Sequence, residues 1–225
     1  MGKGAKNLSR ILLDTKHFTI NLSEADRSSK RILMGTYEQD GNPGNGAKPI
    51  EWDVLYEKDD MMLVISHLVL DCRQINDEFT DVTWETCTLR KWMNNDFYNS
   101  AFSEDEKNHI QLVKLSNIND SPTGGGRDTQ DRVFCLSVDE IECLYGLIGK
   151  SSPFPDLVSE GTRYVYGYSS VYGYSAGGDH CNWWTRTEGQ WEKNYVPIDV
   201  FHGAIGFPEQ VTDFYGICPA MLITK

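Results

Sequence analysis

No apolar run in this 225-residue chain approaches the roughly 18 residues that a membrane-spanning helix needs. The longest candidate, residues 61–70, is interrupted by Ser66 and His67. The opening MGKGAKNLSR holds no apolar stretch of signal-peptide type, so no secretory signal is expected there, and the compartment stays open between a cell surface and a phage particle. Positive charge is scarce as well. With 21 Lys and Arg against 33 Asp and Glu the net charge is −12, which argues against nucleic acid, because phosphate contacts need clustered cations. Lys3, Lys6, Arg10 and Lys16 read as a solvated tail, and the acidity as solubility. The six cysteines are widely spaced and none forms C-x-x-C, so neither a zinc ribbon nor a thioredoxin-type dithiol is expected. A chain of this size does not need disulfides, and mostly free thiols are expected. No G-x-S-x-G, H-E-x-x-H or phosphate-binding glycine loop occurs.

Tyrosine, by contrast, is concentrated. Five of the 11 tyrosines fall within residues 164–174, inside GTRYVYGYSSVYGYSAGGDHCNWWTRTEGQW (161–191), and VYGYS occurs at 165–169 and again at 171–175. Tyr interleaved with Ser and Gly is the composition of binding loops: a rigid, half-polar ring for contact area, and adaptable hydrogen bonding around it. On an extended segment, rings spaced by two share a face, so the expectation is that about half pack inward and half face out.

Around this segment the pattern is mixed. Residues 11–20, 32–37, 50–56 and 61–66 are β-leaning, with the last pair predicted as a hairpin across Lys58-Asp59-Asp60. Residues 86–96 place Leu89, Trp92 and Met93 on one helical face, leaving Glu85, Arg90 and Asp96 on a solvated one. Ser103-Glu-Asp-Glu106 and Ser137-Val-Asp-Glu140 are capping boxes, predicting helices through His109 and about Leu147. Residues 117–130 read as a mobile surface loop, and strands are expected at 183–187, 195–200 and 215–223. This is an α+β pattern of small antiparallel sheets with two or three helices and a long loop-rich C-terminal region. Residues 1–30 are read as an N-terminal extension or joining strand, and 31–225 as the main domain.

The ordered motifs GTY, PIEWDVLY, WETCTLRKWMNNDFYNSAF, DRVFCLSVDE, WWTRTEG and YGICPAML resemble a bacterial and phage family of unknown function, over roughly 32–223. Its members carry I-x-W-x-V-L, W-x-x-S/C-x-L-R-x-W-L/M-N, W-W-L-R-S and G-V-R-P-A-L. That resemblance implies a variant of the C-type-lectin-like fold, shared with formylglycine-generating-enzyme-like proteins and with the variable proteins of diversity-generating retroelements. In such a fold the loop-dominated C-terminal region carries the ligand. Here Ile217-Cys218 stands where the family has Val-Arg, so a salt bridge made by that arginine is missing.

The resulting expectation is a non-enzymatic recognition protein whose surface comprises Tyr164, Tyr166, Tyr168, Tyr172, Tyr174, His180, Asn182, Trp184, Arg186 and Trp191. Its ligand would be a protein or a glycan. Trp183 is assigned to the core and Trp184 to the ligand side, with the reverse left open; Arg186 would serve as a bidentate donor or in a surface ion pair. No cofactor and no metal is expected: Asp179, His180 and Cys181 cannot all reach one ion from an extended strand, and a structural calcium at 120–131 is the one alternative left open. Tyr, Asn, Ser, Asp, His and Gly predominate at 164–182, a set compatible with retroelement diversification. The alternatives are a formylglycine-generating-type enzyme using Cys181 and Cys218, and a structural module of a phage or cell-surface assembly.

Overall fold

The computed structural model describes residues 12–15, 19–21, 30–39, 43–144, 182–199 and 204–225. In chain order its strands begin with β1 (Leu12–Thr15), β2 (Thr19–Asn21), β3 (Arg31–Tyr37), β4 (Lys48–Lys58), β5 (Met61–Ser66) and β6 (Asp71–Arg73). A helical stretch follows, α1 (Thr88–Trp92), a π-helical segment (Met93–Phe97) and α2 (Tyr98–Ala101), then α3 (Glu104–His109). After β7 (Val113–Leu115), β8 (Thr129–Asp131) and α4 (Val138–Leu144) come β9 (Trp183–Glu188), β10 (Asn194–Asp199), β11 (Ala204–Ile205), β12 (Glu209–Gln210), β13 (Tyr215–Ile217) and β14 (Ala220–Thr224). The class is mixed α+β, built on small, mostly antiparallel sheets.

Alternation explains the first sheet. In β4 the side chains of Ile50, Trp52, Val54 and Tyr56 are buried while Glu51 and Glu57 are exposed, the period of two expected of a half-covered strand. β5 has no exposed face at all, because it is central in the order β14-β5-β4-β3. The β4–β5 hairpin forms as predicted, turning through Asp59 at φ 52°, a left-handed conformation that aspartate tolerates. A register shift between Leu33 and Thr36 brings the β3 backbone at Gly35 against Phe102, where an added Cβ would lie 2.7 Å from the ring.

The second sheet, in the order β11-β10-β9-β13-β6 with β12 also on β10, carries the C-terminal third. The expected single strand at 215–223 is two strands in two sheets. It breaks at Cys218-Pro219, where proline supplies no N–H to continue a ladder. β13 pairs with β6 and β9, and β14 pairs with β5, so this switch joins the two sheets over one core. Trp52, Trp84, Trp183, Trp184, Tyr195, Phe97 and Phe134 are the largest fully buried side chains in it. A third sheet, β2-β1-β7-β8, incorporates the N-terminal strands.

The helices start where their caps lie. Ser103 and Glu106 form the reciprocal capping box of α3. Ser137 Oγ accepts from Glu140 N at 3.1 Å while Glu140 Oε2 accepts from Ser137 N at 2.9 Å, the second box; residues beyond 144 lie outside the described set. The helix predicted at 86–96 begins at Thr88 and runs on through the π-helical segment to Ala101. Loop 117–128 is tied down, in contrast to the mobile loop expected. Asn117 Nδ2 donates to Arg127 O and Thr129 Oγ1, and the hydroxyls of Ser121 and Thr123 both bond the Glu188 carboxylate. Among the described residues no helix is long and apolar enough to cross a membrane.

Candidate functional site

Tyr164, Tyr166, Tyr168, Tyr172, Tyr174 and His180 lie outside the described residues. What is described are the two elements that bracket them, α4 on one side and β9 on the other. Asn182, half-buried, precedes β9, and its carbonyl accepts the Gly216 N–H at 2.8 Å.

Trp184 and Arg186 are placed differently from the expectation of a ligand-facing pair. Strand alternation holds, but both faces of β9 are covered, so Trp183 and Trp184 are equally buried. The Trp184 ring lies 4.5 Å from that of Tyr215, and its indole N–H donates to Arg73 O at 2.9 Å. Arg186 forms an ion pair with Glu140 inside the protein, Nη1 and Nη2 each 2.5 Å from a carboxylate oxygen. It also donates to Cys135 O, and its Nε to Asn117 Oδ1. Burial alone would pull the guanidinium pKa down; the Glu140 carboxylate more than offsets this and holds it above the ordinary arginine value. Arg186 is therefore part of the frame, and neither a surface ion pair nor an open donor. Trp191 is 61% exposed, in the turn between β9 and β10.

Arg90, read as solvated, is also inward. Its Nε donates to Asp131 Oδ1 at 2.6 Å, and the fully buried Asp131 further accepts from Trp84 Nε1 and Thr129 Oγ1. Because those partners occupy its oxygens, Asp131 belongs to a structural network. Among the described residues no group of three or more His, Cys, Asp and Glu could hold a metal ion. Cys72, Cys87, Cys135, Cys143 and Cys218 are buried thiols, and Cys181 lies outside the described residues. Burial pushes the Cys87 thiol up to about 12, far from the range of a reactive thiolate.

The sequence reading missed a groove of about 510 Å³ between β6 and the α1/π-helical stretch. Arg73, Asp77, Lys91, Trp92, Asp96 and Phe214 are among its walls. Arg73 is held on two sides: its Nε donates to Asp71 Oδ2 at 3.0 Å, and its guanidinium carbon stands 3.9 Å over the Trp92 ring. Asp71 is fixed in turn by the Tyr37 hydroxyl at 2.6 Å and the Cys72 N–H at 2.7 Å. Desolvation, with the Asp71 carboxylate beside it, raises the Tyr37 phenol well above its usual value, which keeps it a donor. The sequence signal was faint: Thr88, Lys91, Trp92, Asn95 and Asp96 recur at helical spacing, but β6 and Phe214 are distant in the chain.

The family model described as Domain of unknown function (DUF6273) matches residues 59–225. The chain belongs to the DUF6273 family. Every strand of the β9-containing sheet falls within the matched span, as do all residues named above as groove walls, whereas β3 and β4 precede it. No curated protein and no solved structure matches this DUF6273 chain.

Proposed function

We propose that this DUF6273 protein is a non-catalytic recognition module. In this reading a C-type-lectin-like frame presents the tyrosine-rich segment 161–182 to a protein or glycan ligand. The observation that carries the proposal is the clamp between the elements bracketing the segment: Glu140 of α4 and Arg186 of β9 form a buried bidentate ion pair. The pair fixes the points at which residues 145–181 leave α4 and enter β9, and anchoring those points lowers the entropy that a binding loop loses. The exposed Trp191, one turn beyond the clamp, extends the aromatic surface. Trp184 and Arg186 belong to the buried frame and do not touch the ligand.

The test uses a glycan array and a displayed peptide library, probed with the full chain and with a variant carrying serine at Tyr164, Tyr166, Tyr168, Tyr172 and Tyr174. Defined capture by the parent, lost in a variant of unchanged melting temperature, is the expected result. Equal capture by both, or none by either, overturns the proposal. The narrower form, diversification by a retroelement, predicts a near-identical template repeat and a reverse transcriptase beside the coding sequence. Their absence removes that form alone. An enzyme using Cys218 draws no support from a thiol that is fully buried.

A further inference from the structure

The groove between β6 and α1 has walls of both signs. Arg73 and Lys91 supply positive charge, and Asp77 and Asp96 negative, together with Asp71, which is paired with Arg73. Asp77, Lys91 and Asp96 make no ion pair within 4.0 Å among the described residues, although all three are exposed and line one space. Arg73 is the prearranged member. Its Nε is committed to Asp71, its face lies on Trp92 and its side chain also reaches the Tyr37 hydroxyl, so the guanidinium is fixed in place beside the groove. Leu89, Trp92 and Phe214 provide apolar wall beside these charges.

We propose that this groove is a binding site for a small zwitterion, an α-amino acid or a short peptide, with its carboxylate on Arg73 and Lys91 and its ammonium on Asp77 or Asp96. Charge matching selects the class. A simple anion in this space meets Asp77 and Asp96, and a simple cation meets Arg73 and Lys91. A neutral ligand partly desolvates all four with nothing to pair them. A zwitterion satisfies both signs at once, and an apolar side chain can lie along Trp92 and Phe214. The volume of about 510 Å³ lies within the range of small-molecule sites and leaves room for more than one residue. The helix wall itself departs from α geometry at Met93–Phe97, the stretch that delivers Asn95 and Asp96, and such π segments recur at functional sites. This inference rests on the groove and is independent of the tyrosine segment.

Isothermal titration of the full chain with glycyl-phenylalanine, its N-acetyl form, its C-terminal amide and free phenylalanine tests it. The dipeptide or the free amino acid binds, and which of the two binds better identifies the source. Each blocked form binds about tenfold more weakly or worse. Lys91→Met weakens the parent ligand but leaves the C-terminal amide unaffected; Asp96→Asn combined with Asp77→Asn weakens the parent but spares the N-acetyl form. These three positions are exposed, so the variants fold. No binding of any probe at about 10 mM, or blocked forms binding as well as the parent, overturns the proposal. So does full affinity in a folded Arg73→Gln variant.

Discussion

Arg186 and Glu140 meet inside the protein in a two-point ion pair that fastens β9 to the first turn of α4. Removing one partner strands a charge away from water, which costs about 3–5 kcal/mol. Arg186→Met and Glu140→Leu should therefore each lower the unfolding free energy in urea by about that amount. The double variant should recover most of it, less about 1 kcal/mol for the lost Ser137–Glu140 cap. Single variants within about 1 kcal/mol of the parent would show that the pair is not a clamp.

Glu106 links α3 to β3. Its carboxylate accepts the Gly35 N–H at 2.6 Å and the Ser103 N–H and hydroxyl at 2.8 Å each. Partial burial pushes its pKa up, but these hydrogen bonds outweigh burial and leave it below the ordinary glutamate value. A depressed folded pKa contributes stability that is present above the unfolded value, about 4.3, and is lost as the pH falls through the folded one. Glu106→Gln should thus flatten the loss of stability between about pH 5 and pH 3. Thermal melts at constant ionic strength measure the slope, and parallel slopes in parent and variant contradict the assignment.

Gly124 and Gly125 are adjacent, both left-handed, and should respond differently to alanine. At Gly124 an added Cβ meets nothing within 4 Å, so the cost is the conformational one, about 1–2 kcal/mol. At Gly125 it would fall 1.7 Å from the Asn117 carbonyl oxygen. Because the Asn117 side chain also holds Arg186, opening the loop there loosens the clamp. Gly125→Ala should cost about 3 kcal/mol or more, and equal melting temperatures for the two variants would contradict this packing.

Cys87 and Cys135 should resist alkylation in the native state. Both are fully buried, and burial raises both thiols above their ordinary value. Iodoacetamide at neutral pH, read by peptide mass spectrometry, should label them only in denaturant. Native labelling at rates like those of the unfolded chain would contradict the burial.

Local signals were legible. Both capping boxes, the β4–β5 hairpin and the alternation of β4 can be read residue by residue, because each depends on neighbours within a few positions. Four features were not, and each depends on what lies across the chain. The strand at 215–223 splits because Pro219 falls where the backbone changes sheets. Arg186 turns inward because Glu140 of α4 and the Cys135 carbonyl meet it there, and Trp184 because Tyr215 and the Arg73 carbonyl do. Arg90 finds Asp131, 41 positions later, which no helical spacing indicates. The groove is the extreme case, since its walls come from β6, α1 and Phe214.

The central claim is that tyrosine rings at 164–174 form an outward surface on a fixed frame. Hydroxyl-radical footprinting of the native chain, read tyrosine by tyrosine, tests it most directly, with the fully buried Tyr195 as the protected reference. About half of the five rings should react nearly as fast as in denaturant, as expected of alternate residues on an extended segment. Protection of all five to the level of Tyr195 would contradict the account.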